Sequence, residues 1–86
     1  MNTNIYQLYH DKEHGILRVS PMNRTFFNTN IDHQLAPFHE DYILYYNHCY
    51  CFSRSRNALV KLARDMKTEW IKELETKLEI YKNIKI

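Results

Sequence analysis

Between residues 55 and 81 the chain repeats apolar residues at intervals of three and four, without a single Gly or Pro. This period predicts a long amphipathic α-helix, because residues three and four apart lie on one face of a helix. Ser53 or Ser55 is expected to cap its N-terminus, and Glu73 and Lys77 are spaced for an i,i+4 ion pair. The apolar stripe consists of Leu59, Leu62, Ala63, Met66, Trp70, Leu74, Leu78 and Tyr81.

The preceding residues, 1–54, predict mostly β-hairpins and loops. Residues 5–10 and 16–20 are rich in apolar and aromatic residues and flank a polar turn in which Gly15 is free to adopt positive φ. This pattern predicts a hairpin. Residues 24–28 are expected to continue the sheet or to form its edge.

A second strand region is predicted at residues 42–52, where YILYY and CYCF flank Asn47 and His48 as a tight turn. The polar segment 29–40 lacks a clean period, so a loop with one helical turn before Pro37 is expected.

These elements predict one α+β domain over residues 1–86, a small antiparallel β-sheet packed against one long C-terminal α-helix. Leu59, Leu62, Met66, Trp70 and Leu74 are expected to face the sheet. Phe52 is expected to meet them from the sheet, together with several of Tyr42, Leu44, Tyr46 and Tyr50.

Composition narrows the class of protein. The formal net charge is +2 over 86 residues, well below that of a strongly basic nucleic-acid binder. No run approaches the roughly 20 apolar residues of a membrane span, and the N-terminus lacks the apolar core of a signal peptide. Cys49 and Cys51 are one residue apart, a poor geometry for a disulfide. We therefore expect a cytoplasmic protein with reduced thiols that does not contact membranes.

The most informative segment runs from residue 52 to residue 67, where Asp65 is the only acid. A helix N-terminus carries partial positive charge and favours acids, yet this helix begins with two arginines. Such an arrangement suits a phosphate, RNA or an acidic protein surface; its alternative is a solvated basic face. The candidate anion-binding residues are Ser53, Arg54, Ser55, Arg56, Lys61, Arg64 and Lys67.

Other candidate sites are weaker. The group His48, Cys49 and Cys51, with His33 and His39, contains zinc-ligand residue types, but its spacing is not that of a common zinc site. Catalysis by a cysteine lacks any surrounding motif. We predict no metal, no cofactor and no catalytic residue.

The helix is basic in its first half and acidic in its second, where Glu69, Glu73, Glu75 and Glu79 follow one another. This charge separation suits antiparallel self-association as a homodimer; its alternative is a simply solvated charged helix. Trp70, Tyr45 and Tyr50 are the predicted interface residues, because aromatic side chains anchor interfaces.

The composition also resembles that of small accessory proteins of T-even-like bacteriophages, which are rich in Tyr, Asn, Lys and Ile. MNTNIYQLYHDKE at the start and EIYKNIKI at the end show this character. The resemblance implies a non-catalytic counter-defence inhibitor that binds a host defence or toxin component in the host cytoplasm, with RNA as a further partner. Two alternatives remain: an oligomeric sponge for a small nucleotide signal, and a metal-independent nuclease using His10, His14 or His48.

Overall fold

The fold is α+β, as predicted. The structure, a computed structural model, describes residues 4–22 and 30–86. Within them a four-stranded antiparallel sheet has the order β2-β1-β4-β3. The elements are β1 (Tyr6–Asp11), β2 (Ile16–Pro21), α1 (Asn30–Leu35), β3 (Leu44–Tyr45), β4 (Tyr50–Ser53) and α2 (Arg56–Lys82). The strand or edge predicted at residues 24–28 lies entirely outside the described residues.

The β1–β2 hairpin is confirmed. Its turn closes with Gly15 at φ 66°, where the Gly15 N–H donates to the Lys12 carbonyl at 3.3 Å. Asp11 stabilises the turn through its carboxylate, which accepts a hydrogen bond from the backbone N–H of His14 at 3.1 Å. Only glycine reaches this positive φ without steric cost, so the single glycine of the chain lies where the turn requires it.

The β3–β4 connection differs from its prediction. The tight turn at Asn47 and His48 is wrong, because β3 ends at Tyr45 and four residues separate it from β4. The Asn47 side-chain carbonyl accepts hydrogen bonds from the N–H groups of Cys49 and Tyr50, both at 2.8 Å. In a two-residue turn these N–H groups would pair with backbone carbonyls of the facing strand. Here the Asn47 side chain accepts from them instead, and the connection is a four-residue loop.

The sheet is covered on both faces. Leu8 and Cys51 lie on the face that packs against Leu59 of α2, whereas Phe52 lies on the opposite face with Ile31 of α1. The side chains of neighbouring strand residues point to opposite faces of a sheet, so those of Cys51 and Phe52 must lie on different faces. The prediction that Phe52 meets α2 is therefore wrong. The same correction applies to Tyr42, Leu44 and Tyr50, which pack on the Phe52 side, and to Tyr46, whose ring contacts Phe52.

Helix α2 packs across β1, β2 and β4 chiefly through its first half, and the β1–β2 turn contacts it as far along as Glu73. Leu59 is fully buried, and Leu62, Ala63 and Met66 pack beside it as predicted. Leu74, however, is 67% exposed, and every residue from 74 to 86 is exposed. The 27 residues of α2 span roughly 40 Å, more than a small sheet can cover. The C-terminal half therefore projects from the domain, whose long axis measures 64 Å.

Candidate anion-binding surface at the start of helix α2

Two serines build the junction between β4 and α2. Ser53 is fully buried, and its hydroxyl oxygen accepts a hydrogen bond from the Ser55 N–H at 3.1 Å. Ser55 is the N-cap, because its hydroxyl oxygen accepts from the Ala58 N–H at 3.2 Å. Of the two candidate caps, Ser55 is thus the one used. Ser53 is closed off from a ligand by its burial, whereas Ser55 and the five cations are at least partly exposed.

The remaining five residues form the basic patch: Arg54, Arg56, Lys61, Arg64 and Lys67. All are exposed except Arg54, which is half-buried. Lys61, Arg64 and Lys67 follow one another at intervals of three, so each is a surface neighbour of the next. Within residues 4–22 and 30–86, no carboxylate forms an ion pair with any of the five.

The electrostatics of the helix start strengthen this positive surface. The first turn of α2 contains no acidic residue, and Arg56 occupies its first position. A cation here opposes the positive end of the helix dipole, at a cost of about 0.3–1 kcal/mol for an exposed group. Folding alone would favour an acid in place of Arg56. The patch is therefore a local cost to stability that an anionic partner would offset.

A groove adjoins the basic patch where the β1–β2 turn meets the middle of α2. It encloses about 260 Å³, with Trp70, Ile71 and Leu74 on its apolar side and Lys12 and Lys67 among its polar residues. Lys12 bridges the two elements through an ion pair with Glu73. The i,i+4 pair predicted between Glu73 and Lys77 is replaced by this contact, because the hairpin turn brings Lys12 to the helix. Sequence spacing gave no signal of it.

A second surface was not predicted. Arg18, Tyr9 and Tyr50 form one row across β2, β1 and β4, on the face that does not contact α2. The Tyr9 and Tyr50 ring centroids are 5.3 Å apart. The pKa of Tyr9 is raised, chiefly by burial and then by Asp11, while Arg18 lowers it. The row joins strands that are distant in sequence, so only the strand register reveals it.

The predicted aromatic interface residues have different surroundings. Tyr45 is 64% exposed on the edge strand β3. Tyr50 is half-buried and stacks on Phe52, with ring centroids 6.2 Å apart. Trp70 is half-buried in the groove. The structure therefore separates Tyr45 and Tyr50 on the sheet from Trp70 on the helix, and it leaves Tyr45 the most accessible of the three.

Cys51 and His10 lie side by side on β4 and β1, whereas His14 lies in the β1–β2 turn. Burial raises the pKa of the Cys51 thiol to about 11, so at neutral pH the thiol stays protonated and poorly nucleophilic. The ring Nε2 of His10 lies 3.8 Å from this sulfur. His14 instead contacts the Asp11 carboxylate at 2.7 Å, an interaction that lowers the pKa of Asp11. Among the described residues, no three His, Cys, Asp or Glu side chains converge as metal ligands.

We expect the stability of the domain to depend on the protonation of His10. Burial is the main cause of its lowered pKa, and the charge of His48 adds to it. The folded state therefore binds this proton less readily than the unfolded state, whose histidine has a pKa of about 6.5. The free energy of unfolding should fall as the pH drops below that value, and His10→Gln should flatten this dependence in urea titrations. An unchanged pH profile in the His10→Gln variant would contradict the assignment.

Comparison with protein-family models, with curated proteins and with solved structures found no match to this chain. In the described part of the chain, neither helix combines the length and apolar character needed to cross a membrane.

Proposed function

We propose that this chain is a non-catalytic binding protein that docks an anionic surface of a protein partner through the basic patch. The observation that carries the proposal is a set of five cations at the start and along the first half of α2, with no ion pair to any described residue. Complementary charge speeds encounter and selects partners. The phage resemblance supplies the class of partner, a host defence or toxin component that the protein inhibits by occupying it in the host cytoplasm.

A protein surface suits the neighbourhood of the patch better than a small nucleotide does. Lys67 belongs both to the basic patch and to the groove, where apolar side chains of Trp70, Ile71 and Leu74 lie beside it. A partner that places acids against Arg56 and Arg64 thus meets apolar surface at the end of the same patch. Charged rims around apolar centres are the usual anatomy of protein–protein interfaces.

RNA is the second candidate partner, and the pair of Arg18 on β2 and Tyr9 on β1 favours it. A tyrosine ring and an arginine on the face of a sheet are suited to stacking on unpaired bases. This pair lies on the sheet face away from α2, and the basic patch extends along α2. The two partners would therefore use different surfaces.

The test is capture from a bacterial lysate by the tagged chain, with half of the lysate treated with RNase. The double charge reversal Arg56→Glu, Arg64→Glu is compared with Lys72→Glu, Lys85→Glu, which makes the same charge change on the C-terminal part of the chain. A protein that survives RNase, binds the control variant and is lost with the patch variant supports the proposal. Equal capture by both variants would contradict it, and capture that RNase abolishes would favour RNA.

Stability separates loss of binding from loss of folding in this experiment. Arg56→Glu places an acid at the positive end of the helix dipole, so the variant should be as stable as the parent or more stable, by about 0.3–1 kcal/mol. Urea unfolding of the same preparations measures this. A patch variant that binds nothing yet unfolds at higher urea would assign Arg56 to binding alone.

A further inference from the structure

The C-terminal half of α2 carries a second apolar stripe of exposed side chains, of which only Ile71 and Leu74 lie at the groove beside the β1–β2 turn. Ile71, Leu74, Leu78 and Tyr81 are 45%, 67%, 53% and 63% exposed. Their intervals of three, four and three residues are those of the a and d positions of a coiled coil. This stripe, residues 71, 74, 78 and 81, differs from the stripe that buries Leu59, and it lies on the part of α2 that projects beyond the sheet.

We propose that this stripe pairs with the same stripe of a second copy of the chain, the two helices running antiparallel. Full overlap places Ile71 opposite Tyr81 of the second copy and Leu74 opposite its Leu78, about a two-fold axis near residue 76. A two-fold contact is self-complementary, so every contact occurs twice. The sheets then lie at opposite ends of the helix pair, because each sheet packs on its own α2 around Leu59, whereas residues 74–86 are exposed.

The groove can bind the aromatic ring that this pairing places beside it. Ile71 and Leu74 belong to the groove beside Trp70, and its lysines include Lys12 and Lys67. Tyr81 of the second copy arrives opposite Ile71. Its ring is apolar and its hydroxyl polar, matching an apolar wall under a cationic rim. Buried aromatic anchors of this kind dominate the binding energy of interfaces.

Charge complementarity selects the antiparallel arrangement. With Ile71 and Leu78 at a positions, Glu75 and Lys82 occupy e positions, and Lys77 occupies a g position. Antiparallel helices bring like-lettered flanks together, so each Glu75 meets Lys82 of the second copy, while Lys77 approaches only its own mate. Parallel helices pair g with e, which would place Lys77 against Lys82 twice. The two attractive pairs offset the approaches of Glu75 and of Lys77 to their own mates, whereas the parallel arrangement has only its two repulsive pairs, so the antiparallel dimer is favoured.

Sedimentation of the full-length chain across a wide concentration range tests the proposal. The parent is expected to be a dimer that dissociates on dilution, and Leu78→Glu is expected to be monomeric. Ile80→Glu is the matched control, because Ile80 is 59% exposed on the same helix but lies off the stripe. A monomeric parent at every concentration, or equal dissociation by the two variants, would overturn the proposal.

Charge-reversal variants test whether the two helices pair antiparallel or parallel. Lys82→Glu should raise the dimer dissociation constant several-fold, and the double exchange Glu75→Lys, Lys82→Glu should restore it. A parallel dimer predicts the reverse for Lys82→Glu, which would then strengthen association and overturn the antiparallel assignment. Trp70 is the only tryptophan, so its fluorescence should shift on dimerisation in the parent and shift less in Tyr81→Ala. An identical shift in Tyr81→Ala would remove Tyr81 from the groove.

The dimer and the proposed partner both use the groove, so we expect them to compete for it. The Leu78→Glu monomer keeps the whole basic patch, so lysate capture with this variant separates the two ideas. If the monomeric variant still captures a partner from the lysate, the basic patch binds that partner without the dimer. Sedimentation tests the dimer in the absence of any partner.

Discussion

Replacing Phe52 with alanine should destabilise the domain by about 3–5 kcal/mol. Its side chain is fully buried between the sheet and α1, where it packs with Ile31 and Leu35. Removing the ring leaves a cavity bounded by two different elements, so collapse can fill it only in part. An 86-residue chain has a total stability of about 4–13 kcal/mol. Phe52→Ala should therefore leave a substantial unfolded population.

Phe38→Ala is the matched control for this experiment. Phe38 is 44% exposed and stacks on Tyr42 with ring centroids 3.8 Å apart. Losing that ring pair should cost no more than about 1.5 kcal/mol. Urea unfolding followed by circular dichroism measures both variants. Equal losses of unfolding free energy in the two variants would mean that α1 does not cover the face of the sheet on which Phe52 lies.

Leu59→Ala is expected to cost about 2–5 kcal/mol, because Leu59 is the one buried residue of α2. It packs with Leu8 and Cys51 on the other face of the sheet from Phe52. Alanine has a high helix propensity, so the substitution does not weaken the helix itself. The lost free energy of unfolding therefore measures the packing of α2 on the sheet rather than the formation of the helix. Trp70 fluorescence should follow the release of the helix from the β1–β2 turn.

Ile80→Ala provides the comparison on the same helix. Ile80 is 59% exposed and lies away from the residues that pack on the sheet, so the change should stay within about 0.5 kcal/mol of the parent. Both variants are unfolded in urea under identical conditions. A Leu59→Ala loss as small as that of Ile80→Ala would show that the first half of α2 does not anchor the domain.

The candidate binding surface was predictable in part. The five cations of the basic patch are visible as a sequence cluster, and the absence of acids in the first helical turn is a sequence property. The groove beside Trp70 was not predictable, because Lys12 and Glu73 meet only after the hairpin turn packs on the helix. Ser53 was predicted as an anion ligand from its residue type, and its burial at the turn, where its hydroxyl oxygen accepts from the Ser55 N–H, could not be read from the sequence.

What the sequence determined by itself is local: the long helix, the hairpin turn at Gly15 and the concentration of positive charge at the helix start. Each depends on residues close in the chain, whose spacing acts directly through backbone geometry. The tertiary structure alone decided which face of the sheet receives Phe52, which half of α2 is left uncovered, and that Arg18, Tyr9 and Tyr50 form one row. Those outcomes depend on the pairing register of strands that are distant in the sequence and on a sheet that is shorter than α2. The spacing of neighbouring residues specifies neither the register nor the extent of the sheet.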